Sequence, residues 1–144
     1  MERSLELLLS HLAIMKTGAA FVPIDQKWPV TRIIEIFRQL STEIFLVNSS
    51  QAHWKKLSTW SCVVVNELEL TDSKSNLKVS VNGTDPIYVI FTSGSTGQPK
   101  GAINQHRGIT NRFLNMNNRY GYRENDVILF TSNHVFDSSV WQLF

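Results

Sequence analysis

The sequence has few of the features that mark secreted, membrane-spanning or nucleic-acid-binding proteins. Cys62 is the one cysteine among 144 residues, which excludes an internal disulfide. The net charge of +2 is too small to indicate binding to nucleic acid or to an acidic membrane surface. No apolar run approaches the roughly 20 residues of a membrane-spanning helix, and the N-terminus lacks the pattern of a signal peptide. We therefore expect a globular cytoplasmic chain without a nucleic-acid or membrane partner.

Short apolar stretches alternate with segments of helical spacing along the chain. Continuous apolar strands separated by helices are typical of a parallel sheet that is covered on both faces. The pattern therefore predicts an α/β fold with a mostly parallel sheet flanked by helices. The predicted helices are residues 4–16, 29–40, 52–57 and 106–119, and the predicted strands are 20–24, 43–47, 61–65, 88–91, 102–103 and 126–131.

The first predicted helix is apolar nearly all the way round, so we expect it to be buried on most sides. Gly18 follows it at the position where a glycine commonly ends a helix. His11 has no second ligand at metal-binding spacing, which favours an interior histidine with its hydrogen bonds satisfied over a metal ligand. No metal site is predicted in the chain.

One segment, at about residues 66–85, breaks the α/β pattern with a run of polar residues. Because a buried strand follows at once, we interpret it as a surface excursion and not as a linker between domains. We therefore treat residues 1–144 as part of a single domain.

The strongest chemical signal lies in residues 88–101, where an apolar run gives way to hydroxyls, glycines and a lysine. Gly94 and Gly97 allow the main chain to approach a ligand closely, and Lys100 supplies a positive charge. The loop contains no carboxylate, which favours an anion-binding turn. The alternative is a Ser/Gly turn between two strands. The pattern is not the Walker loop, in which the lysine directly follows a glycine and precedes Ser or Thr.

A second candidate site lies in residues 136–144, FDSSVWQLF. The carboxylate of Asp137 stands among apolar neighbours, and its burial would require a cationic partner. In a helix Asp137 and Trp141 lie four residues apart and face the same side. The alternative is an aspartate that caps the helix N-terminus beside a packed tryptophan.

Three segments together resemble the adenylate-forming, or AMP-binding, superfamily. TSGSTGQPKG at 92–101 resembles its phosphate loop. LAIMKTGAAFVPID at 12–25 resembles an early core motif of nonribosomal peptide synthetase adenylation domains, and FDSSVWQLF resembles the start of their amino-acid pocket. The three motifs occur in the family's order. The stretch Asn133-His134-Val135 is less usual for the peptide synthetase branch, so an acyl-CoA synthetase ancestry stays open.

The resemblance implies ATP-dependent activation of an amino-acid carboxylate as an aminoacyl-adenylate. It also implies Mg²⁺, transfer to the phosphopantetheine thiol of a carrier protein, and carrier and condensation domains as partners. Asp137 would receive the substrate α-ammonium, and Ser138 and Trp141 would line the side-chain pocket. The residues implied to contact the ATP phosphates are Thr92, Ser93, Gly94, Ser95, Thr96, Gly97 and Lys100.

The family's other motifs lie downstream of the segments matched here. Complete members carry there an adenine- and Mg²⁺-contacting motif, a ribose-binding aspartate and a catalytic lysine. We therefore predict no catalytic residue and no Mg²⁺ ligand in these residues, and no adenylation by the isolated chain. Met1 lies a few residues before the apolar first helix, and Phe144 is the last residue of an apolar run. We accordingly expect a fragment that exposes apolar surface. A non-catalytic nucleotide-binding remnant and a pseudogene product stay open as alternatives.

Overall fold

The computed structural model describes residues 1–56, 59–69, 75–93 and 97–144. Within these ranges the fold is α/β, as the sequence predicts. The helices are α1 (Leu5–Lys16), α2 (Val30–Leu40), α3 (His106–Tyr120) and α4 (Val140–Leu143), and the strands are β1 (Ile44–Val47), β2 (Ser61–Val64), β3 (Pro86–Ser93) and β4 (Pro99–Gln105). Short 3₁₀-helices cover Ser49–Lys56, Val65–Glu67 and Asp137–Ser139. No described helix is long and apolar enough to span a membrane.

The described strands form two small sheets instead of one larger, mostly parallel sheet. β1 and β2 pair in parallel, with a 3₁₀-helix as their crossover. β3 and β4 pair antiparallel, and the predicted return strand at 102–103 belongs to β4. Only residues 94–98 separate β3 from β4, and a connection this short joins strands as a hairpin, whereas parallel strands need a longer crossover.

The predicted strand at 20–24 is reduced to a single bridge between Phe21 and Tyr88. The Phe21 amide donates to the Ile87 carbonyl at 3.1 Å, and the Val89 amide donates to the Phe21 carbonyl at 3.0 Å. These two bonds place one residue of the segment beside β3 in parallel direction. Phe21 is 2% exposed, so the bridge lies in the interior.

β3 is the central strand of the interior because both of its faces are covered. Tyr88 and Ile90 pack on one side with Phe21 and Val140. Val89 and Phe91 pack on the other side, in a cluster with buried residues of α2. Trp54 and Trp60 contact this second cluster. The apolar run that precedes the candidate phosphate loop is therefore fixed from both sides.

α1 begins and ends as predicted, but it is not buried on most sides. The Ser4 hydroxyl accepts the Leu7 amide at its N-terminus, and Gly18 follows its C-cap with φ +79°. Leu7 is buried, whereas Leu5 is 66% exposed and Leu9 is 49% exposed. The prediction of burial was wrong because only one side of the helix finds partners among the described residues.

The strand predicted at 126–131 is wrong as well. Residues 125–131 form neither helix nor strand, and Val127 is 92% exposed and Leu129 74% exposed. α3 precedes this segment and ends at Gly121 in the left-handed conformation. Met116 of α3 is buried, whereas Tyr120, four residues further along the helix, is 61% exposed. No strand among the described residues lies beside 126–131 to complete a ladder.

The polar segment after β2 follows the surface where it is described. Residues 75–84 are exposed and adopt no helix or strand. Lys16 Nζ donates to Asn76 Oδ1 at 3.0 Å, which ties the segment to the end of α1. The segment then enters β3 at Pro86.

Candidate functional site

The first part of the site lies where β3 leaves the interior. Phe91 is buried, and the next two residues, Thr92 and Ser93, are exposed. Lys100 lies directly opposite Thr92 on β4. Residues opposite each other in an antiparallel pair have Cβ atoms about 5 Å apart. The hairpin thus brings two of the predicted phosphate-contacting residues together at its exposed end.

The position of Lys100 depends on its neighbours in β4. Pro99 is buried, and its carbonyl accepts a hydrogen bond from Gln39 Nε2 of α2 at 3.1 Å. A Cβ at Gly101 would come within 3.0 Å of the Phe91 ring and of the Val89 side chain. Glycine therefore lets β4 lie close against β3, and α2 holds the strand at the preceding residue.

Lys100 is exposed, and within the described ranges it forms no salt bridge with a carboxylate. The salt bridge found there joins Lys55 and Glu67. Gly97 is exposed and has φ +82°, a conformation that favours glycine. Of the seven predicted phosphate contacts, Thr92, Ser93, Gly97 and Lys100 are described; Gly94, Ser95 and Thr96 lie outside the described residues.

The second part of the site begins at Asp137, which opens a 3₁₀-helix that α4 continues. Asp137 is exposed, so its carboxylate does not need the buried cationic partner that its apolar neighbours suggested. Phe136 is the N-cap of this 3₁₀-helix and Ser139 is the N-cap of α4, so Asp137 does not occupy the capping position that the alternative gave it. Trp141 is half-buried, and the Ser138 hydroxyl donates to Ser132 Oγ at 3.0 Å.

β3, which carries Thr92 at its end, also contacts the second part of the site through Tyr88. The sequence analysis treated Tyr88 only as part of an apolar run. Tyr88 is 3% exposed and packs in the same cluster as Val140 of α4. Burial raises the pKa of the Tyr88 hydroxyl, and the negative charge of Asp137 raises that pKa further. Val140, three residues after Asp137, thus packs against the buried strand whose end carries Thr92. The tyrosine gave no signal in the sequence, because its role depends on a residue 49 positions further along the chain.

Two side chains that the sequence analysis also missed hold the backbone before Asp137. The Arg3 guanidinium donates to the carbonyl oxygens of Phe130 and Thr131, at 3.3 and 2.8 Å. Gln142 Oε1 accepts the amides of Thr131 and Ser132, at 3.1 and 2.9 Å. Ser132 in turn accepts the hydroxyl of Ser138. These bonds link Arg3, residues 130–132 and α4 in one network.

Two histidines, His11 and His134, are buried in the interior. His11 stacks on Phe21 with ring centroids 4.1 Å apart, and burial lowers its pKa to about 4. Its Nδ1 has no hydrogen-bond partner among the described residues, so the expectation of a satisfied histidine was wrong. His134 is buried with Nε2 3.4 Å from the Ile24 carbonyl oxygen, and burial lowers its pKa.

A cavity of about 870 Å³ lies between α1, residues 19–26, α2 and β1, away from the hairpin end and from Asp137. Its lining includes His11, Phe37 and Gln51 and none of the predicted site residues. Within the described ranges no three His, Cys, Asp or Glu side chains are grouped to hold a metal ion.

Comparison with known proteins relates this arrangement to one enzyme family. The family described as "AMP-binding enzyme" matches residues 1–144. Tyrocidine synthase 1 of Brevibacillus parabrevis is 39% identical over 147 residues, which cover 100% of this chain and 14% of that protein. Gramicidin S synthase 1 of Brevibacillus brevis is 35% identical over 100% of this chain and 13% of its own length.

Solved structures agree with these relatives. The nonribosomal peptide synthetase FmoA3, in its form bound to alpha-methyl-L-serine-AMP, superposes with a TM-score of 0.86 at 27% identity. The match covers all of this chain and 16% of FmoA3. ATP-bound MatB from Rhodopseudomonas palustris shares the fold with a TM-score of 0.79 at 15% identity, over 99% of this chain and 31% of MatB. The chain belongs to the AMP-binding enzyme family and corresponds to a small part of the length of its relatives.

Proposed function

We propose that this chain supplies the ATP-phosphate loop and the first wall of the amino-acid pocket in an adenylation domain of the nonribosomal peptide synthetase type. The observation that carries the proposal is the β3–β4 hairpin, which presents Thr92 and Lys100 opposite each other at an exposed end. The solved relative FmoA3 is a nonribosomal peptide synthetase by name, and its structure contains bound alpha-methyl-L-serine-AMP.

The chemistry of the hairpin end suits a polyphosphate. The hydroxyls of Thr92 and Ser93 can donate to phosphate oxygens, and the Lys100 ammonium adds a positive charge. Since no carboxylate pairs with Lys100 within the described ranges, that charge is available to an anion. Gly94, Ser95 and Thr96 complete the proposed set by sequence. The set contains no acid or base, so its task is to bind and to neutralise charge.

In the proposed reaction a substrate carboxylate oxygen attacks the α-phosphorus of ATP. The bond from that phosphorus to the bridging oxygen breaks, pyrophosphate leaves and an acyl-adenylate forms. Negative charge develops on the leaving pyrophosphate, which is where Lys100 and the hydroxyls would act. Mg²⁺ would accompany the ATP phosphates, and we assign none of its ligands to this chain.

The amino-acid end of the substrate is assigned to Asp137. Its carboxylate is exposed, and Val140 of the same helical segment packs against Tyr88 of β3. An exposed carboxylate beside the strand that carries the phosphate loop suits an α-ammonium group. Ser138 and Trp141 follow on the same short helical segment and are proposed to line the side-chain pocket. Transfer to a carrier-protein phosphopantetheine, with carrier and condensation domains as partners, is proposed from the relatives, and no residue of this chain is assigned to it.

The test replaces the matched 147 residues of tyrocidine synthase 1 with this chain and measures amino-acid-dependent ATP–pyrophosphate exchange. We expect exchange that falls about 100-fold or more for Asp137→Ala and for Lys100→Ala, the loss typical of removing one charge-stabilising group. Lys78→Ala is the matched control, since Lys78 is also an exposed lysine but lies in the polar segment.

Exchange with fatty or aryl acids and not with amino acids would reject the assignment of Asp137 and favour the acyl-CoA synthetase alternative. ATP binding by the hybrid without exchange with any carboxylic acid would favour the non-catalytic remnant. Equal activity of the Lys100 and Lys78 variants would remove the proposed phosphate contact.

A further inference from the structure

Two buried polar atoms without hydrogen-bond partners belong to residues that line the same cavity. His11 is 5% exposed and Gln51 is 3% exposed. Neither His11 Nδ1 nor Gln51 Oε1 has a hydrogen-bond partner within the described ranges. Both residues line the cavity of about 870 Å³ between α1, residues 19–26, α2 and β1. A buried polar group without a partner costs free energy and is rare in native structures, so these two atoms call for an explanation.

The orientation of the Gln51 amide is set by a row of side-chain hydrogen bonds. Gln26 Nε2 donates to Glu2 Oε1, and Gln51 Nε2 donates to Gln26 Oε1. Because an ionised carboxylate only accepts hydrogen bonds, it fixes which end of each amide points toward it. Gln51 Oε1 is the atom left over, and it is an acceptor. Its missing partner must therefore be a hydrogen-bond donor.

The His11 ring adds a second polar group whose ionisation state is defined. It stacks on Phe21 with ring centroids 4.1 Å apart, and burial lowers its pKa to about 4, so the ring is neutral at pH 7. Nδ1 of a neutral ring is a donor or an acceptor, depending on the tautomer. A hydroxyl group can take either role, and it can also donate to Gln51 Oε1, which a carbonyl group cannot.

The rest of the lining is mostly apolar. Leu7 and Ile14 of α1 and Ile33 and Phe37 of α2 contribute to it. Among the described residues no Lys or Arg lines the cavity, and the acidic side chain in the lining, Glu43, is exposed. The interior part thus offers no charged side chain to replace the hydration that a charged ligand would lose. Cavities of roughly 300–1,000 Å³ commonly bind drug-sized molecules.

We propose that this cavity binds a neutral, largely apolar small molecule that carries a hydroxyl group, which supplies the hydrogen bonds that Gln51 Oε1 and His11 Nδ1 lack. The cavity is separate from the proposed ATP and amino-acid contacts, because none of the described residues assigned to those contacts lines it. The inference therefore does not rest on the proposed function.

The experiment compares two probes of similar size and shape, 2-naphthol and 2-methylnaphthalene, by equilibrium dialysis with the 144-residue chain at pH 7. We expect 2-naphthol to bind about 10-fold or more tightly than 2-methylnaphthalene, since its hydroxyl can donate to Gln51 Oε1. Gln51→Met keeps a side chain of similar length without the amide. It should remove this preference and leave the affinity for 2-methylnaphthalene unchanged.

Two further variants complete the comparison. His11→Phe keeps a ring against Phe21 and should reduce the preference for 2-naphthol, so it supplies the same test if Gln51→Met fails to fold. Gln98→Met is the matched control, because Gln98 is exposed and does not line the cavity, and it should bind both probes as the original chain does. Circular dichroism checks that each variant retains its helices.

Three results would overturn the proposal. The first is that neither probe binds, or that both bind with equal affinity. The second is a preference for 2-naphthol that survives both Gln51→Met and His11→Phe. The third is loss of 2-naphthol binding when this chain replaces the matched 147 residues of tyrocidine synthase 1, since the rest of the domain would then fill the cavity. Excess pyrophosphate should not displace 2-naphthol, and displacement would contradict a separate site. No ATP or amino acid is present in the dialysis, so these outcomes are independent of the proposed exchange activity.

Discussion

β3 and residues 126–131 have similar amino-acid composition and opposite structures. Ile87 to Phe91 forms a strand that is buried on both faces, whereas Val127 to Leu129 is exposed and unpaired. β3 has β4 as a neighbour within a few residues of sequence and Phe21 as a bridge on its other edge. The second stretch has no strand beside it among the described residues. Strand formation here depends on an available partner more than on the residues of the strand itself.

The largest expected effect is on the free energy of unfolding and is tested by substituting two isoleucines. Ile90→Ala removes a side chain that is 6% exposed in the core around Phe21 and should lower the free energy of unfolding by about 2–5 kcal/mol. Ile128→Ala should lower it by about 0.5 kcal/mol or less, since Ile128 is 45% exposed. Urea unfolding followed by circular dichroism measures both changes. Equal losses would show that residues 126–131 are packed and that the contrast with β3 is wrong.

The next effect is the pH dependence of folding stability, which arises from a buried histidine in the interior beside β3. His11 has a pKa of about 4 in the folded chain against an ordinary value of 6.5, because burial disfavours its charged form. Between these pH values the unfolded chain binds more protons, so stability is fully present above pH 6.5 and falls as the pH drops toward 4. We expect a loss of about 3 kcal/mol from His11 over this range. His134, whose pKa is also lowered by burial, adds to the loss in the same direction.

His11→Phe checks the source of this acid sensitivity. The substitution keeps a ring against Phe21 and removes the titrating group and the unpartnered Nδ1. Urea unfolding at pH 7 and pH 4.5 should show a smaller difference for the variant than for the original chain. His53→Phe is the control, because His53 is exposed. If both variants keep the full acid sensitivity, His11 is not the responsible group.

A smaller effect on the free energy of unfolding is expected from alanine substitutions of two glycines, one in β4 and one in α3. Gly101→Ala places a Cβ within 3.0 Å of Val89 and Phe91 and should lower the free energy of unfolding by about 1–3 kcal/mol. Gly108→Ala in α3 meets open space and should raise it by up to about 1 kcal/mol, since alanine favours a helix over glycine. Thermal unfolding of the two variants measures the difference in sign. Stabilisation by Gly101→Ala would mean that β4 does not lie close against β3.

Local sequence patterns were sufficient to predict the structure of a segment whose packing partner lies nearby in the sequence. α1, α2 and α3 follow from apolar spacing, with Gly18 at the end of α1, and the parallel pair β1–β2 follows from two apolar runs around a short helix. The likeness of residues 92–101 to a phosphate loop led to the correct family. These features depend on contacts within a few dozen residues.

The remaining features depend on distant residues, which a local pattern does not contain. Burial of α1 and pairing of 126–131 require neighbours that the described residues do not supply. Arg3 contacts Phe130 and Thr131 across more than 120 positions, and its sequence neighbours gave no indication of it. The apolar neighbours Phe136 and Val140 suggested a buried Asp137 carboxylate with a cationic partner. Phe136 is 60% exposed, however, and the carboxylate faces solvent.

The most direct test of the proposed phosphate site is calorimetric titration of the isolated 144-residue chain with pyrophosphate. The β3–β4 hairpin is formed within this chain, so pyrophosphate should bind, and Lys100→Ala should weaken binding about 10-fold or more while Lys78→Ala leaves it unchanged. Both lysines are exposed, and unfolding of either variant should match the original chain. Absence of pyrophosphate binding, or equal affinity of the Lys100→Ala variant and the original chain, would contradict the assignment of the hairpin end as a phosphate site.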